Sequence, residues 1–287
     1  MRLFGVGMVR NEADIIETSI RHNLTVLDGM VVIDHGSVDR TSEILARLHA
    51  EGLPLSVIRD SDPGFFQAER LTTITRHTLT VRSADFVFPI DADEFIKARS
   101  RTALEEELAD VPDGSHAVMH WLTYVPESFA ARGEPFGPSH LRWRLKTERH
   151  GSYKCVIGRS FGQRQTQYIV SGNHLVDDAG EPRPPPHMRL RQEIVALAHC
   201  PVRSSDQLMR KVTLGFQAHL ATQPTNDKQA LHWMQLYDEL SAGERLPDER
   251  LREIACNYGL PRDQWQPADA VDLVEDPVAL ASKAIYA

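Results

Sequence analysis

Hydrophobic positions follow two different rhythms over the first hundred residues. Compact apolar runs, each of a length typical of a strand buried on both faces, lie at 3–9, 30–33, 55–58 and 86–90. Between these runs the apolar residues recur every three or four positions, as along one face of a helix. This second rhythm predicts helices that begin near residue 16, that run from Thr41 or Ser42 to about Gly52, and that cover 67–81.

Strands that alternate with helices in this way predict βαβ crossovers. The expected fold class is therefore α/β, with a mostly parallel central sheet flanked by helices. Ligands of such sheets bind beyond the carboxyl ends of the strands. Charged residues follow three of the four predicted strands: Arg10 to Glu12, Asp34 with Asp39, and Asp91 with Asp93. We expect these three clusters to meet at one edge of the sheet.

The second half of the chain has a different pattern. Residues 126–186 are rich in Gly, Pro, Arg and aromatic residues, contain strand-like pieces at 153–157 and 167–170, and end in a polyproline-like loop at 182–186. A last strand is expected at 194–198. Capping-box patterns predict helices that begin near Thr102 (with Glu105) and near Ser204 (with Gln207). Two further helices are expected near 226–240 and 248–258.

Composition narrows the class of protein. The 287 residues, 41% of them hydrophobic, are enough to bury a large core without disulfides or a structural metal. A net charge of −8 argues against a nucleic-acid coat or a membrane-surface helix. No apolar run approaches the roughly 20 residues of a membrane span, and the N-terminus does not resemble a signal peptide. The three cysteines fit no zinc spacing, so we expect reduced thiols and a cytoplasmic protein.

The sharpest chemical signal is the pair Asp91 and Asp93. Two carboxylates two residues apart, directly after a buried strand, can project into one cleft, and hard oxygen ligands suit Mg²⁺ or Mn²⁺. From the tripeptide alone, an acidic turn with solvated carboxylates is an equal alternative. His199, at the end of the predicted strand 194–198, can complete a metal site with the two aspartates. A partly buried structural histidine is the alternative there.

Several other residues allow both a chemical and a structural interpretation. Asp34 and Asp39 can accept hydrogen bonds from a base or a ribose, or can simply cap the helix near Thr41. Gly5 and Gly7 lack the third glycine of a dinucleotide-binding loop, so they predict close packing within the first strand. Basic side chains near His199 can neutralise a diphosphate: Arg203, Arg210 and Lys211. A group of aromatic residues can form a sugar-stacking platform, although core packing is the simpler role: Trp121, Tyr124, Phe129, Phe136 and Trp143.

Several segments together resemble family 2 glycosyltransferases. Met8 to Glu17 resembles the K/R-N-E segment after their first strand, and Val32 to Thr41 resembles their D-N/D-G-S-x-D-G-T segment, with His35 and Arg40 as departures. Phe88 to Phe95 resembles the D-x-D-E-F box of a subgroup. That subgroup also has segments similar to Lys154 to Ile157 and His199 to Ser204, and the order agrees over about residues 3–220. A Q-x-x-R-W or E-D catalytic signature is absent from the second half.

The resemblance implies a GT-A fold and a metal-dependent glycosyltransferase, an enzyme of surface polysaccharide or glycoconjugate synthesis that uses a UDP- or GDP-sugar donor and a carbohydrate or glycoconjugate acceptor. It implies a nucleotide-sugar-binding half at 1–125, an acceptor and catalytic region at 126–204 and a C-terminal helical extension at 205–287. It implies Mn²⁺ or Mg²⁺ on Asp91, Asp93 and His199. The residues expected to contact the donor are Arg10, Glu12, Asp34, Asp39, Arg70, Arg203 and Lys211.

An inverting transfer needs a base that deprotonates the acceptor hydroxyl from the side opposite the leaving group. Such a base is expected from the second half of the chain. The candidates are His174, Asp177 and Asp178, with Glu181 and Glu193 behind them. Two alternatives remain open at this point. The first is a sugar-phosphate nucleotidyltransferase, although the segment around the first strand is a poor match to the glycine-rich, basic loop that binds a triphosphate. The second is a non-catalytic nucleotide-sugar binding protein.

Overall fold

The computed structural model describes residues 1–62, 64, 66–130, 135–137, 140–149, 151–222, 236–237, 239–240 and 245–278. Contacts group the chain into two compact units. Within the described residues, the first unit comprises Met1–Trp121 and Gly151–Ala198, and the second comprises Leu122–His150 and His199–Val278. The segment 126–204 is thus divided between the units, and the functional division expected at 125 and 204 stays a prediction.

The strands, in chain order, are β1 (Leu3–Val9), β2 (Gly29–His35), β3 (Leu55–Asp60), β4 (Phe86–Pro89), β5 (Glu94–Ala98), β6 (His116–Thr123), β7 (Trp143–Leu145), β8 (Tyr153–Gly158), β9 (Gln167–Ile169), β10 (Val176–Asp178), β11 (His187–Arg189), β12 (Val195–His199) and β13 (Leu273–Glu275). The α-helices are α1 (Ile16–Asn23), α2 (Thr41–Ala50), α3 (Gln67–Val81), α4 (Arg101–Ala109), α5 (Ser205–Thr222) and α6 (Asp248–Cys256). Short 3₁₀ turns lie at Arg159–Gln163, Arg262–Gln264 and Ala268–Ala270.

One large sheet organises the first unit. Its strand order is β3-β2-β1-β4-β8-β6-β12-β5, and β11 pairs with β6. The strands β3, β2, β1 and β4 are parallel, whereas β8 runs antiparallel to both β4 and β6. Helix α2 packs against β3, α3 packs against β1 and β4, and α1 packs against β5 and α2. The predicted fold class is therefore confirmed: an α/β fold with a mostly parallel central sheet flanked by helices, followed by C-terminal helices.

The strand order places a switch point at the centre of the parallel part. The chain passes from β1 to β2 to β3 on one side, and then returns to add β4 on the other side of β1. At such a point two crossover connections leave in opposite directions and open a crevice at the carboxyl ends of the strands. The carboxyl ends of β1 and β4 are followed by Arg10 to Glu12 and by Asp91 to Glu94.

Burial explains why β1 and β2 form the centre. Every residue of both strands is buried, and Phe4, Val6 and Met8 pack in one cluster with side chains of β2 and α3. Gly7 allows close approach, because a Cβ atom there would lie only 2.7 Å from the carbonyl oxygen of Ile90. The predicted packing role of the glycines in the first strand is therefore confirmed.

Local details differ from several predictions. Ser100, rather than Thr102, caps α4, because its hydroxyl accepts the backbone N–H of Ala103 at 3.1 Å. The Ser204 hydroxyl accepts the N–H of Gln207 at 3.0 Å as predicted, but the Gln207 side chain accepts from the N–H of Arg203. The short strands β7, β10, β11 and β13 were not predicted, because three residues give no periodicity. The helix predicted at 226–240 lies largely outside the described residues.

The second unit has a core of its own. Side chains of α5 and α6, such as Leu208, Val212 and Ile254, are buried with Val125 and Leu145. Strand β13 pairs antiparallel with β7. Within the described part of the chain, no helix combines the length and the apolar character that a membrane crossing requires.

Candidate functional site

The loops after β1 and β2 are joined by four hydrogen bonds. Asn11 donates its backbone N–H to the Ser37 hydroxyl at 3.0 Å, and its side-chain oxygen accepts the N–H of Val38 at 2.8 Å. Glu12 donates its N–H to Thr41 Oγ1 at 2.8 Å. The fourth bond runs from the N–H of Ala13 to Asp39 Oδ2 at 3.1 Å. Asn11 adopts a left-handed backbone with φ of 58°, a conformation that asparagine tolerates better than most residues.

Asp34 and Asp39 stabilise these two loops, which together are called the double loop below. Asp34 is buried at the end of β2, where its carboxylate accepts the N–H of Ser37 at 3.1 Å and the hydroxyl of Ser42. Asp39 Oδ1 accepts the N–H of Thr41 at 2.9 Å, at the start of α2. Asp39 thus takes one N–H of the first turn of α2, although Arg40 and not Asp39 occupies the N-cap position. Contacts of either carboxylate with a donor molecule stay a prediction.

The two residues expected to contact phosphate from the first unit have different surroundings. Arg10 is exposed at the end of β1. Arg70 lies at the start of α3, and its guanidinium pairs with Asp60, lies 3.4 Å from Asp62 and donates to the carbonyl of Gly64 at 2.7 Å. Arg70 therefore ties α3 to the loop after β3, and a phosphate contact by this side chain stays a prediction.

The segment after β4, Asp91 to Glu94, is called the acidic box below. The contacts of Asp91 join it to other elements. Its Oδ2 atom lies 2.6 Å from Lys154 Nζ, and its Oδ1 atom accepts from the side-chain amides of Gln67 and Asn173, each at 3.3 Å. Lys154 comes from β8 and is 2% exposed. Both oxygens of Asp91 therefore have donors within the protein.

Glu94 completes the charged cluster. Its Oε1 atom lies 2.8 Å from Lys154 Nζ, and its Oε2 atom accepts the backbone N–H of Asp91 at 2.9 Å. Burial raises the pKa of Glu94, and the charges of Asp91 and Asp93 add to this effect while Lys154 opposes it. Burial disfavours the charged ammonium of Lys154, but the two adjacent carboxylates raise its pKa above the ordinary value. Lys154 is thus a fixed cation.

The loop between β9 and β10 is joined to this box. Gly172 and Asn173 have left-handed backbones, with φ of 82° and 62°. The Gly172 N–H donates to Gln67 Oε1 at 3.2 Å, and the Asn173 amide reaches Asp91. Asn173 is fully buried, and its Oδ1 atom has no hydrogen-bond partner among the described residues. The loop that presents His174 is therefore fixed directly to the acidic box.

His174 has a defined tautomer. Its Nδ1 atom lies 2.8 Å from the carbonyl oxygen of Tyr153, which can only accept, so Nδ1 bears the proton and Nε2 has the lone pair. The ring stacks on Trp121 with centroids 5.9 Å apart and an interplanar angle of 16°. A Cβ at position 172 would lie 2.8 Å from His174 Nε2, so glycine is needed beneath the ring.

Asp177 and Asp178 lie further along the same hairpin, on β10. Asp177 accepts the Tyr168 hydroxyl at 2.9 Å and the N–H of Asp178 at 2.8 Å. These contacts are within the hairpin, whereas Asn173 and His174 belong to the loop that reaches Asp91. Of the three candidate bases, His174 is therefore the one that directly follows a residue bonded to the acidic box.

The other predicted site residues belong to the second unit. His199 is buried at the end of β12, and its ring lies 5.5 Å from that of Tyr258. Lys211 Nζ lies 5.4 Å from the centroid of the same tyrosine ring. Arg203 is fully buried. Tyr258 thus lies against one predicted metal ligand, His199, and one residue expected to contact the donor, Lys211.

A metal site of three ligands is not formed by the described residues, among which no group of three or more His, Cys, Asp or Glu side chains has a suitable arrangement. Asp93, which is two residues after Asp91 in the chain, is buried, and His199 belongs to the second unit. The set Asp91, Asp93 and His199 therefore stays a prediction. Among the aromatic residues, Tyr124, Phe129 and Phe136 are buried, as core packing requires, while Trp121 and Trp143 are partly exposed.

Sequence reasoning missed the residues that organise Asp91: Gln67, Glu94, Lys154 and Asn173. A signal existed for Lys154, because a single lysine within the apolar strand Tyr153–Gly158 must find an anion when it is buried. A signal also existed for Asn173, since a Gly-Asn pair favours left-handed turns. No periodic pattern shows that either side chain reaches Asp91, which is 63 and 82 residues away in the chain.

Comparison with known proteins gave matches to solved structures alone. No protein-family model and no curated protein matches the chain. TarS residues 1–349 from S. aureus, in complex with UDP, is 16% identical, with 84% of this chain and 71% of that chain covered and a TM-score of 0.40. The mannosyltransferase PcManGT from Pyrobaculum calidifontis, in complex with GDP-Man and Mn²⁺, is 18% identical, with 94% and 77% covered and a TM-score of 0.43.

A third match covers less of the chain. Glucosyl-3-phosphoglycerate synthase from Mycobacterium tuberculosis, in complex with phosphoglyceric acid, is 20% identical, with 42% of this chain and 44% of that chain covered and a TM-score of 0.28. At these identities and TM-scores the likeness transfers no function to this chain.

Proposed function

We propose that this chain is a glycosyltransferase of the GT-A type that moves a sugar from a UDP- or GDP-sugar to an acceptor hydroxyl, in surface polysaccharide or glycoconjugate synthesis. The main support is the position of its motifs. The segments that resemble family 2 glycosyltransferases follow β1, β2 and β4, on the two sides of the switch point. The acceptor is a carbohydrate or a glycoconjugate.

The double loop after β1 and β2 is the proposed nucleoside site. Asp34 and Asp39 each accept hydrogen bonds within the loops, but an ionised carboxylate has about four acceptor positions and can take a further donor from a base or ribose. Arg10 and Glu12 lie on the same edge. For the diphosphate we propose Arg70, and Arg203 and Lys211 stay candidates from the sequence, because charge-assisted bonds from such side chains neutralise a leaving phosphate.

The acidic box suits a divalent cation in charge. Three carboxyl groups, those of Asp91, Asp93 and Glu94, lie in this segment, and the ammonium of Lys154 contacts two of them, Asp91 and Glu94. Oxygen ligands with one imidazole suit Mn²⁺ or Mg²⁺, and we propose Asp93 as a ligand of the ion, with His199 as the imidazole candidate from the sequence. When bound, such an ion supplies charge neutralisation for the leaving diphosphate.

His174 is the proposed base of an inverting transfer. Its Nε2 lone pair can take the proton of the acceptor hydroxyl while the oxygen of that hydroxyl bonds to the anomeric carbon. The bond from the anomeric carbon to the diphosphate oxygen breaks, and its electron pair leaves with the diphosphate. Asp177 and Asp178 are the second choice, because the hydrogen bonds of the Asp177 carboxylate lie within the hairpin.

The first test is a thermal-shift screen with UDP, GDP, CDP and dTDP, each with and without Mn²⁺. The matched solved structures contain UDP or GDP-Man with Mn²⁺, so these ligands are the first probes. Binding at a hundredfold excess over the dissociation constant adds about 2.7 kcal/mol of stability. We expect one nucleoside diphosphate to raise the melting temperature, and to do so only with Mn²⁺.

Three variants examine the metal assignment. Asp93→Ala should abolish the Mn²⁺-dependent shift, and His199→Ala should weaken it to a smaller extent. Asp113→Ala, which removes an exposed carboxylate of the same unit, is the control and should behave as the wild type. If Asp93→Ala keeps the Mn²⁺-dependent shift, the acidic box does not bind the metal. If His199→Ala leaves the Mn²⁺ titration unchanged, His199 has a structural role.

Product analysis with the identified donor decides the reaction class. Release of a nucleoside diphosphate is the expected result. Release of pyrophosphate would instead identify a nucleotidyltransferase, and tight binding without any product would identify a binding protein. His174→Gln should lower the turnover number by about 10²–10⁴-fold, the range for a lost general base, without changing donor affinity. Asp177→Asn is the matched variant on the same hairpin.

A further inference from the structure

Lys154 gives the acidic box a cation of its own. Its ammonium lies 2.6 Å from Asp91 Oδ2 and 2.8 Å from Glu94 Oε1, and the side chain is 3% exposed. Trp121 lies nearby, with its ring centroid 5.7 Å from the ammonium. A buried ion pair is weak evidence for stability, because well-packed apolar residues in its place are often as stable or more so. Stability alone therefore does not explain this lysine.

The lysine changes what Asp91 can do. Asp91 Oδ2 is paired with the ammonium, and Oδ1 accepts two side-chain amides at 3.3 Å. A divalent ion on Asp91 Oδ2 would compete with the ammonium for the same oxygen and would lie within a few ångströms of it. Two cations at that separation repel each other. Asp91 is thus a charge-compensated carboxylate, and Glu94 shares the same counter-ion.

We propose that Lys154 is a positioning residue, an internal counter-ion that reserves Asp91 for hydrogen bonding and keeps it out of the coordination shell of the divalent cation. This inference rests on the proposed function, because it takes the acidic box to be a cation site. It divides the two aspartates by role: Asp93 is the metal ligand of the box, and Asp91 is an oriented hydrogen-bond acceptor. It also predicts that the lysine weakens metal binding while it fixes the box.

The test is a Mn²⁺ titration of the full chain without nucleotide, with free Mn²⁺ measured by electron paramagnetic resonance. The principal variant is Lys154→Met combined with Glu94→Gln, which removes the ammonium together with the second carboxyl group that it contacts. Circular dichroism establishes that it is folded. Lys154→Gln with Glu94→Gln, which keeps polar groups at both positions, is the second variant if the first fails to fold.

We expect the double variant to bind Mn²⁺ at least about tenfold more tightly than the wild type, since the ammonium no longer repels the ion and Asp91 becomes a ligand. Adding Asp91→Asn to the double variant should abolish this gain. Lys154→Arg, which retains the charge, should keep the wild-type affinity. The reversal by Asp91→Asn is the part that a merely structural lysine would not produce.

Two results would overturn the inference: a double variant that binds Mn²⁺ no more tightly than the wild type, or a gain in affinity that survives Asp91→Asn. These outcomes are independent of the nucleotide screen. If no nucleoside diphosphate stabilises the wild type but the double variant still gains Mn²⁺ affinity through Asp91, the proposed function fails and the role of Lys154 stands.

Discussion

Gly7→Ala examines how closely β1 must approach the acidic box. A Cβ atom at this position would lie 2.7 Å from the carbonyl oxygen of Ile90, the residue immediately before Asp91. An ordinary contact begins near 3.4 Å. The obstructing atom belongs to the backbone, so no side chain can rotate away. The end of β4 must therefore move from β1 by about 0.7 Å, the difference between these distances.

The cost follows from the contacts at that point. The N–H of Ile90 donates to the carbonyl of Val6 at 2.8 Å, and separation of the strands weakens this bond, which is worth about 1 kcal/mol. Overpacking of a filled core adds about 1–3 kcal/mol. Replacement of glycine restricts the unfolded chain, which returns about 0.4–1 kcal/mol. We expect the free energy of unfolding to fall by about 2–3 kcal/mol.

Gly5→Ala is the matched control on the same strand. A Cβ atom at position 5 would meet Leu27 Cδ1 at 3.0 Å and Met30 Cγ at 3.1 Å, which are atoms of flexible side chains. We expect this variant to lose less than about 1 kcal/mol, because these side chains can adjust. Urea unfolding followed by circular dichroism gives both values. A second readout is the nucleotide-dependent thermal shift, which Gly7→Ala should weaken because Ile90 precedes Asp91.

Equal losses of stability in the two variants, within about 0.5 kcal/mol, would refute this reasoning. In that case the backbone of Ile90 yields without cost, and the approach of β1 to the box does not depend on glycine.

Three further predictions concern stability. Lys154→Met should cost about 3–5 kcal/mol, because it leaves the buried Glu94 without its cation. Glu94→Gln should cost less, because Asp91 still pairs with the ammonium. The double variant should cost clearly less than the sum in urea unfolding, and additivity within about 0.5 kcal/mol would contradict the buried pair. Burial, with a smaller contribution from His187, lowers the pKa of His116 from 6.5 to about 4. The free energy of unfolding should therefore fall by about 3 kcal/mol as the pH falls from 6.5 to 4, and His116→Gln should lack this loss. Equal pH dependence of stability in the wild type and the variant would refute the assignment. Asn11→Gly should cost about 1 kcal/mol for the bond to Val38, and Asn11→Ala about 1 kcal/mol more for its left-handed backbone; equal melting temperatures would show that the backbone conformation is unimportant.

The central strands and helices were predictable because each has a pattern within its own residues. The buried runs of β1 and β2 and the helical spacing of α3 are local signals, and their order implied a parallel sheet with charged residues at one edge. The cap of α4 was assigned to the wrong residue, because Ser100 and Thr102 are equally suitable in type and only the backbone at position 100 decides between them.

The detailed arrangement around Asp91 was not predictable in the same way. Its partners come from α3, β8 and the loop after β9, and side chains from separate elements meet only once the sheet order is known. The sequence identified Asp91 as important but assigned it to a metal. The structure adds that its carboxylate already has an internal cation, which no tripeptide pattern reveals.

The pairing of Asp91 with Lys154 also has a consequence for how the chain is made. The lysine lies 63 residues after the aspartate, so during synthesis from the N-terminus β4 emerges well before its counter-ion. Until β8 adds beside β4, the buried position of Glu94 has no compensating charge, and closing the sheet there is unfavourable. The edge of β4 therefore stays unpaired until β8, which carries Lys154, has been synthesised. A nascent chain that stops before residue 154 has β1 to β4 but no finished acidic box, so the box is completed late in synthesis.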